Sequence, residues 1–171
     1  STPSSRLVLR NVTVRNGDTG LRSNGSAQNK AVLAENVVFD SNTTCFDIYD
    51  GSEVTIRDSK IFNCTLGIGI KVTAGATTVN STNVNLDGTN MSWCHDGIFM
   101  TQDADRVLSL TLNNSVINRS GGIHGTMNTG PMRVRLIRST LNRVVDALYI
   151  DGTANGFAQV VVSGSAIEQS G

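Results

Sequence analysis

The chain has few charged residues, no excess of either sign and no long apolar run, and each shortage excludes a class of protein. Only 16% of its 171 residues are charged, and Lys plus Arg equals Asp plus Glu at 14 each, so the formal net charge is zero. No basic stripe is present for phosphate contacts, and we therefore predict that nucleic acid is not a partner. No apolar run approaches the length that crosses a bilayer, so we predict no membrane partner either.

Aromatic residues and proline are also scarce, at 5% of the chain and two residues respectively. Gly, Asn, Ser and Thr are abundant instead, which is typical of a chain rich in turns and β-strands. The 39% apolar content is enough to build one core, and we expect a single domain over residues 1–171. The segment from Ser1 to Arg10 lacks the basic start and apolar stretch of a secretion signal, so we expect any export signal to have been removed.

An internal repeat is the most informative feature of the sequence. Each copy has apolar residues at its first, third and eighth positions. The copies begin at Leu7, Val32, Val54, Val84, Leu110, Val134 and Val160. The third apolar residues are Val14, Phe39, Ile61, Met91, Ile117, Leu141 and Ile167. Six copies continue into a fourth apolar position, at Leu21, Phe46, Ile68, Ile98, Ile123 and Leu148. Apolar and polar residues alternate in short runs, which indicates three short strands per repeat rather than a helix.

Two columns of turn residues separate the first and second strands of the repeats. The first column is Asn11, Asn36, Asp58, Gly88, Asn114, Arg138 and Gly164. Six of these seven are residue types that tolerate a left-handed backbone, which predicts a sharp bend at this point of every coil. Hydroxyl residues follow directly at Ser59, Thr89, Ser115, Ser139 and Ser165, where they are expected to bond along the stacking axis.

With this repeat the chain resembles the right-handed parallel β-helix proteins of the pectate-lyase-like superfamily, which includes polygalacturonases, alginate epimerases and phage tailspikes. The resemblance covers residues 6–171 and is visible in EVTIRDSKIFNCTLGIGIK, where VTI, the Asp-Ser bend, KIF and the Gly-Ile-x-Ile run match the family's three strands. It implies an all-β fold, a right-handed parallel β-helix of about seven coils with three parallel sheets. A fold of this kind implies little about activity.

The three cysteines raise separate questions. Cys94, His95 and Asp96 stand side by side, and such groups activate one another only where their side chains converge. Because they fill a turn between two apolar positions, we interpret them as a corner of the solenoid rather than a reactive cluster. Cys64 occupies the matching position one coil earlier, and a coil spacing of about 4.8 Å would allow a disulfide, which the sequence leaves open. Cys45 lies in a column of small residues and is expected to be a buried, compact apolar group.

The outward face of the third strand is the best candidate for a ligand surface, because related enzymes place their substrate groove on this sheet. Counted from the fourth apolar position, two outward rows are predicted: Arg22, Asp47, Gly69, Phe99, His124 and Tyr149, and then Asn24, Tyr49, Lys71, Thr101, Thr126 and Asp151. Aromatic rings beside charged groups suit a saccharide, which offers apolar C–H faces and hydroxyl edges together. We predict that the ligand-binding residues are Asp47, Tyr49, Lys71, Phe99, His124, Tyr149 and Asp151. The alternative is an ordinary solvated strand face.

Catalysis is the second possibility, with Asp96 and Asp146 as the candidate residues. They occupy equivalent positions two repeats apart, which places their backbones about 9.6 Å from each other. This distance is at the upper edge of the separation between the two carboxyl groups of inverting glycosidases. The Asp-Gly-Ile run at 96–98 is similar to part of the polygalacturonase motif. However, Gly121 and Gly122 stand where that family has paired aspartates.

A lyase would need clustered acidic residues for calcium and a basic residue for proton abstraction. Asp47, Asp50 and Lys71 are the only nearby set. We therefore predict no cofactor and no metal site, and leave calcium as an alternative.

From these observations we expect a secreted module, either extracellular, on the cell surface or periplasmic, whose partner is a polysaccharide or other glycan. The alternatives are a polysaccharide-active enzyme, either a lyase or a glycoside hydrolase, and a structural, adhesive or phage-spike-like segment. The last copy of the repeat stops midway through its coil, so a segment of a longer solenoid is one expectation. Unpaired strand edges at the coil ends would then allow oligomerisation.

Overall fold

The chain forms a parallel β-solenoid in a computed structural model, which describes residues 5–24, 30–64, 67–75, 81–153 and 156–168. Each complete turn, here called a coil, contributes one strand to each of three sheets. Neighbouring strands all pair in parallel, and no helix occurs within the ranges just given. Six complete coils and a seventh with two strands confirm the predicted three-sheet β-helix of about seven coils.

Each sheet is a stack of strands taken from successive coils. Sheet 1 contains β1 (Ser5–Arg10), β4 (Lys30–Glu35), β7 (Ser52–Arg57), β10 (Thr82–Asp87), β13 (Leu108–Asn113), β16 (Gly130–Ile137) and β19 (Gly156–Ser163). Sheet 2 contains the three-residue strands β2 (Thr13–Arg15), β5 (Val38–Asp40), β8 (Lys60–Phe62), β11 (Asn90–Ser92), β14 (Val116–Asn118), β17 (Thr140–Asn142) and β20 (Ala166–Glu168). Sheet 3 contains β3 (Thr19–Asn24), β6 (Thr44–Tyr49), β9 (Ile68–Ala74), β12 (Asp96–Gln102), β15 (Gly122–Met127) and β18 (Asp146–Gly152).

The bend between sheets 1 and 2 is the predicted left-handed column. All seven of its members have positive φ, between 47° at Arg138 and 61° at Gly88. The hydroxyl column behind it forms the expected axial hydrogen bonds. The N–H of Ser115 donates to Ser139 Oγ at 3.2 Å, and the N–H of Ser139 donates to Ser165 Oγ at 3.0 Å. These bonds satisfy backbone groups that the bend removes from the sheets.

The core is the column of apolar side chains that fills the inside of the coils. Ile98 and Ile123 are fully buried and lie opposite each other in adjacent strands of sheet 3. Phe39 and Phe46 contact each other across the second coil, with ring centroids 4.3 Å apart. Ile167 occupies the position of Phe39 in the seventh coil, which has only one described neighbouring coil, and it is 49% exposed. Whether the coil ends bind another chain stays a prediction.

A disulfide joins the third and fourth coils. Cys64 and Cys94 are bonded, with their Cα atoms 4.2 Å apart, and both are buried. The pairing that the sequence left open is therefore present. Cys45 is free and fully buried, as predicted, and desolvation raises the pKa of its thiol to about 12.

The register of sheet 3 corrects one predicted alignment. Ile70, not Ile68, lies opposite Ile98 in the next coil. Lys71 consequently lies opposite Phe99, in the first outward row, and not in the second row where the sequence analysis placed it. Side chains of a strand alternate with a period of two, so this shift of two residues leaves Lys71 on the outward face.

Candidate functional site

Six residues, one from each of the six complete coils, form an in-register row on the outward face of sheet 3. They are Arg22, Asp47, Lys71, Phe99, His124 and Tyr149, here called the sheet 3 row. At about 4.8 Å per coil, the row extends about 24 Å along the solenoid axis. Tyr149 is 57% exposed, whereas Lys71, Phe99 and His124 are half-buried. Five of the seven predicted ligand-binding residues are thus brought into one line.

The end of the row nearest the first coil is an ion pair. Arg22 Nε and Nη2 both lie 2.9 Å from Asp47 Oδ2. Asp47 is only 3% exposed, and its second oxygen is buried without a hydrogen-bond partner. The carboxylate that the sequence analysis assigned to ligand binding is therefore largely enclosed, and the exposed partner of the pair is the guanidinium of Arg22.

The two remaining predicted residues, Tyr49 and Asp151, belong to the second outward row. Tyr49 lies opposite Thr73, and Asp151 lies opposite Thr126. They stand four coils apart in that row, so the structure does not bring them together. Asp151 is exposed and accepts a hydrogen bond from the N–H of Gly152 at 2.8 Å. The side chain of Asn24, at the first position of this row, lies outside the described residues.

The two candidate catalytic carboxylates lie on either side of an imidazole. His124 Nδ1 is 3.5 Å from Asp96 Oδ1, and His124 Nε2 is 3.9 Å from Asp146 Oδ2. We call Asp96, His124 and Asp146 the imidazole–carboxylate cluster. The other oxygen of Asp96, Oδ2, lies 3.4 Å from Nδ1 of the exposed His95. The ring of Tyr149 meets His124 edge-on, with centroids 6.1 Å apart.

This geometry determines which chemistry the cluster can perform. The imidazole occupies the space between the carboxylates, where an inverting glycosidase holds its water. A carboxylate beside one ring nitrogen orients the imidazole, and an oriented imidazole can hold or transfer a proton at its other nitrogen. His124 Nε2 is enclosed and has no hydrogen-bond partner among the described residues.

Glycine at position 122 is required for the close approach of β15 to β18 beside the imidazole–carboxylate cluster. Gly122 has a φ of 86°, and the register with β18 shifts between Gly122 and Ile123. A Cβ at Gly122 would lie 1.8 Å from the carbonyl oxygen of Asp146. A Cβ at Gly121 would lie 2.3 Å from the carbonyl oxygen of His95. The backbones therefore approach too closely here for the paired aspartates of polygalacturonases.

The Cys94–His95 pair is not a reactive site, because the sulfur of Cys94 is bonded to Cys64. In the described ranges, no group of three or more His, Cys, Asp or Glu side chains is arranged to hold a metal ion. Asp47 and Asp50 are therefore not part of such a metal-binding group in the described ranges.

One set of exposed residues, at the turn between sheets 2 and 3, was not predicted from the sequence. Trp93, Arg119 and Arg143 follow β11, β14 and β17 directly and occupy the same position in three successive coils. A signal for them was present, because each stands two residues after the third apolar position of its repeat. It was overlooked because the preceding coils have small polar residues there.

The chain matches the protein family described as right handed beta helix region over residues 1–167. No curated protein and no solved structure matches the chain. Within the described part of the chain, no helix has the length and apolarity needed to span a membrane. The family match covers nearly the whole chain and agrees with the three parallel sheets and the stacked coils. The chain therefore belongs to the right-handed β-helix family.

Proposed function

We propose that this β-helix binds carbohydrate on the outward face of sheet 3. The observation that supports this best is the sheet 3 row, in which the rings of Phe99 and Tyr149 stand on either side of His124. Aromatic rings provide apolar contact for the C–H faces of sugars, while the imidazole and Lys71 can bond their hydroxyls. A row about 24 Å long suits an extended glycan chain better than a single monosaccharide.

The proposal includes a location outside the cytoplasm, either extracellular, on the cell surface or in the periplasm. The disulfide between Cys64 and Cys94 supports this, since structural disulfides form and persist in oxidising compartments. Polysaccharides of cell walls and surfaces are accessible in the same compartments.

Calorimetric titration with neutral and acidic polysaccharides tests the binding face. Replacing Phe99 or Tyr149 by Ala removes apolar contact area and should weaken binding about 5- to 30-fold, corresponding to about 1–2 kcal/mol. Phe157→Ala is the control, because Phe157 is an aromatic residue in sheet 1 that is exposed to a similar extent as Tyr149. Full binding by the Phe99→Ala, Tyr149→Ala double variant would remove this face from consideration.

A polysaccharide-active enzyme, either a lyase or a glycoside hydrolase, is the second candidate, favoured by the imidazole–carboxylate cluster. In an enzyme, the carboxylates of Asp96 and Asp146 would exchange protons with the bound sugar, and the enclosed His124 between them would act as a positioning residue. Asp96→Asn should then abolish turnover and leave binding nearly intact, because the carboxylate acts chiefly in the transition state. Product formation is measured on any glycan that binds. Absence of turnover on all such glycans would favour the binding module, and absence of both binding and turnover would favour a structural or adhesive role.

A further inference from the structure

A second surface lies beside sheet 3, at the turn that follows each strand of sheet 2. Its central position has a left-handed backbone in six coils, with φ between 51° and 60°. The residues there are Asn16, Ser41, Asn63, Trp93, Arg119 and Arg143. The last three are large and exposed, and we call them the Trp–Arg ridge.

The backbone holds the ridge in a tight axial stack. The N–H of Trp93 donates to the carbonyl of Asn118 at 3.3 Å, and the N–H of Arg119 donates to the carbonyl of Asn142 at 3.0 Å. The guanidinium carbon of Arg119 lies 4.7 Å from the centre of the Trp93 ring. Trp93 nevertheless remains 48% exposed, so this contact leaves much of the indole open to a ligand.

The turn itself does not require these residues. A left-handed backbone favours Asn and Gly and disfavours large side chains. Asn63 fits the same turn in the third coil and donates a hydrogen bond to Asp40 at 3.0 Å. The change from Asn63 to Trp93 and then to two arginines therefore goes against local backbone preference. All three side chains remain exposed, with Arg119 stacked on Trp93.

Charge distinguishes the ridge from the arginines of the earlier coils. Arg10, Arg15 and Arg22 each lie within ion-pair distance of a carboxylate in the next coil. In the part of the chain that the structure describes, no carboxylate lies within 4.0 Å of Arg119 or Arg143. Two guanidinium groups on adjacent coils repel each other unless an anion lies between them.

We propose that the Trp–Arg ridge binds an anionic polysaccharide. A carboxylate or sulfate group of the glycan is held by Arg119 and Arg143, and the sugar ring next to it lies against Trp93. Guanidinium groups bind carboxylates and sulfates through paired hydrogen bonds, and an indole face provides the apolar platform that a pyranose ring needs. Nucleic acid is a weaker candidate, because its binding sites neutralise many phosphates and this ridge supplies two cations on a chain of zero net charge. The proposal concerns a different surface from the sheet 3 row and does not depend on it.

Trp93 is the only tryptophan in the chain, so its fluorescence reports on the ridge directly. The probes are carboxymethyl dextran and unmodified dextran, which share a backbone and differ in charge, together with a single-stranded oligonucleotide. We expect carboxymethyl dextran to change the emission saturably, with an affinity that falls as salt is raised, and dextran to have little effect. Equal responses to the two dextrans, no response to carboxymethyl dextran, or tighter binding of the oligonucleotide would each overturn the proposal.

Substitution variants separate a binding role from a structural one. Arg119→Asn and Arg143→Asn restore the residue type found at Asn63, and each should weaken binding at least about tenfold without lowering stability. Arg138→Asn is the matched control, because Arg138 is an exposed arginine with a φ of 47° in the other turn column. Its removal should leave binding unchanged, and an equal loss in this control would refute the assignment.

Two further measurements distinguish failure of this proposal from failure of the sheet 3 proposal. The Phe99→Ala, Tyr149→Ala double variant should still bind carboxymethyl dextran with the same change in Trp93 emission. If that variant loses the response, the anionic glycan is bound by the sheet 3 face and the ridge proposal is wrong. Trp93→Asn, assayed by calorimetry, should fold with unchanged or higher stability and bind the probe weakly.

Discussion

Replacing Ile98 by Ala tests whether the interior column of the solenoid provides the stability of the fold. Ile98 is fully buried and lies opposite Ile70 in one neighbouring coil and Ile123 in the other. The substitution removes contacts on both sides at once. The surrounding backbone is hydrogen-bonded within sheet 3 and cannot collapse into the space that is left.

The expected cost follows from the buried volume that is lost. Removing three carbon atoms costs about 2.4 kcal/mol at about 0.8 kcal/mol per buried methylene. The cavity left between the adjacent coils adds to this, so we expect a loss of about 3–4 kcal/mol, within the usual range for a buried Ile→Ala change.

Urea unfolding followed by circular dichroism gives the free energy of unfolding of each variant. Ile167→Ala is the matched control, because the same substitution at a side chain that is 49% exposed should cost only about 1 kcal/mol. A loss below about 0.5 kcal/mol at Ile98, or equal losses at the two positions, would refute a dry and tightly packed interior.

Three further predictions concern single residues. The Cys45 thiol, with its pKa raised to about 12 by burial, should react with iodoacetamide at neutral pH only after unfolding, and fast labelling of the native protein would contradict its burial. Gly122→Ala should lower the free energy of unfolding by at least about 2 kcal/mol, because the new Cβ meets a carbonyl oxygen in a backbone conformation that Ala disfavours, whereas Gly75→Ala, with 3.4 Å of clearance, should cost much less in the same urea assay. Hydrogen bonds, first from Asn63, lower the pKa of Asp40. The Asp40 carboxylate therefore stabilises the fold at pH values above the ordinary pKa of Asp, and this contribution is lost as the pH falls through the lowered pKa. An NMR titration should show the Asp40 midpoint rising in Asn63→Ala, and an unchanged midpoint would rule out that cause.

The coil architecture was predictable because the repeat fixes position more strongly than residue type does. Arg138 shows this clearly. Arginine has no preference for a left-handed backbone, yet its place in the turn column predicted a φ of the kind observed, 47°. The axial hydrogen bonds of Ser115 and Ser139 follow from the same repeat, since equivalent side chains in stacked coils must lie close together.

The candidate site was predictable only as a face of a sheet. Ile68 and Ile70 stand two residues apart, so their side chains are expected on the same face of the strand. The alternation of a strand therefore cannot show which of the two lies opposite Ile98. The correct face was therefore predicted with Lys71 in the wrong row. The placement of His124 between two carboxylates depends on a side-chain conformation and on the register shift beside Gly122, and the repeat specifies neither of them.

The disulfide between Cys64 and Cys94 has a consequence for how the solenoid opens. In a linear stack each coil contacts only its neighbours, so separation of one coil from the next can spread stepwise along the axis. The covalent link between the third and fourth coils prevents their complete separation and divides the stack into two arms that fray independently. Amide hydrogen exchange should therefore be slowest in β8 and β11, next to the link, and faster with each coil away from it. Reduction of the disulfide should remove this minimum in the rate of amide exchange and allow fraying to pass from one arm into the other.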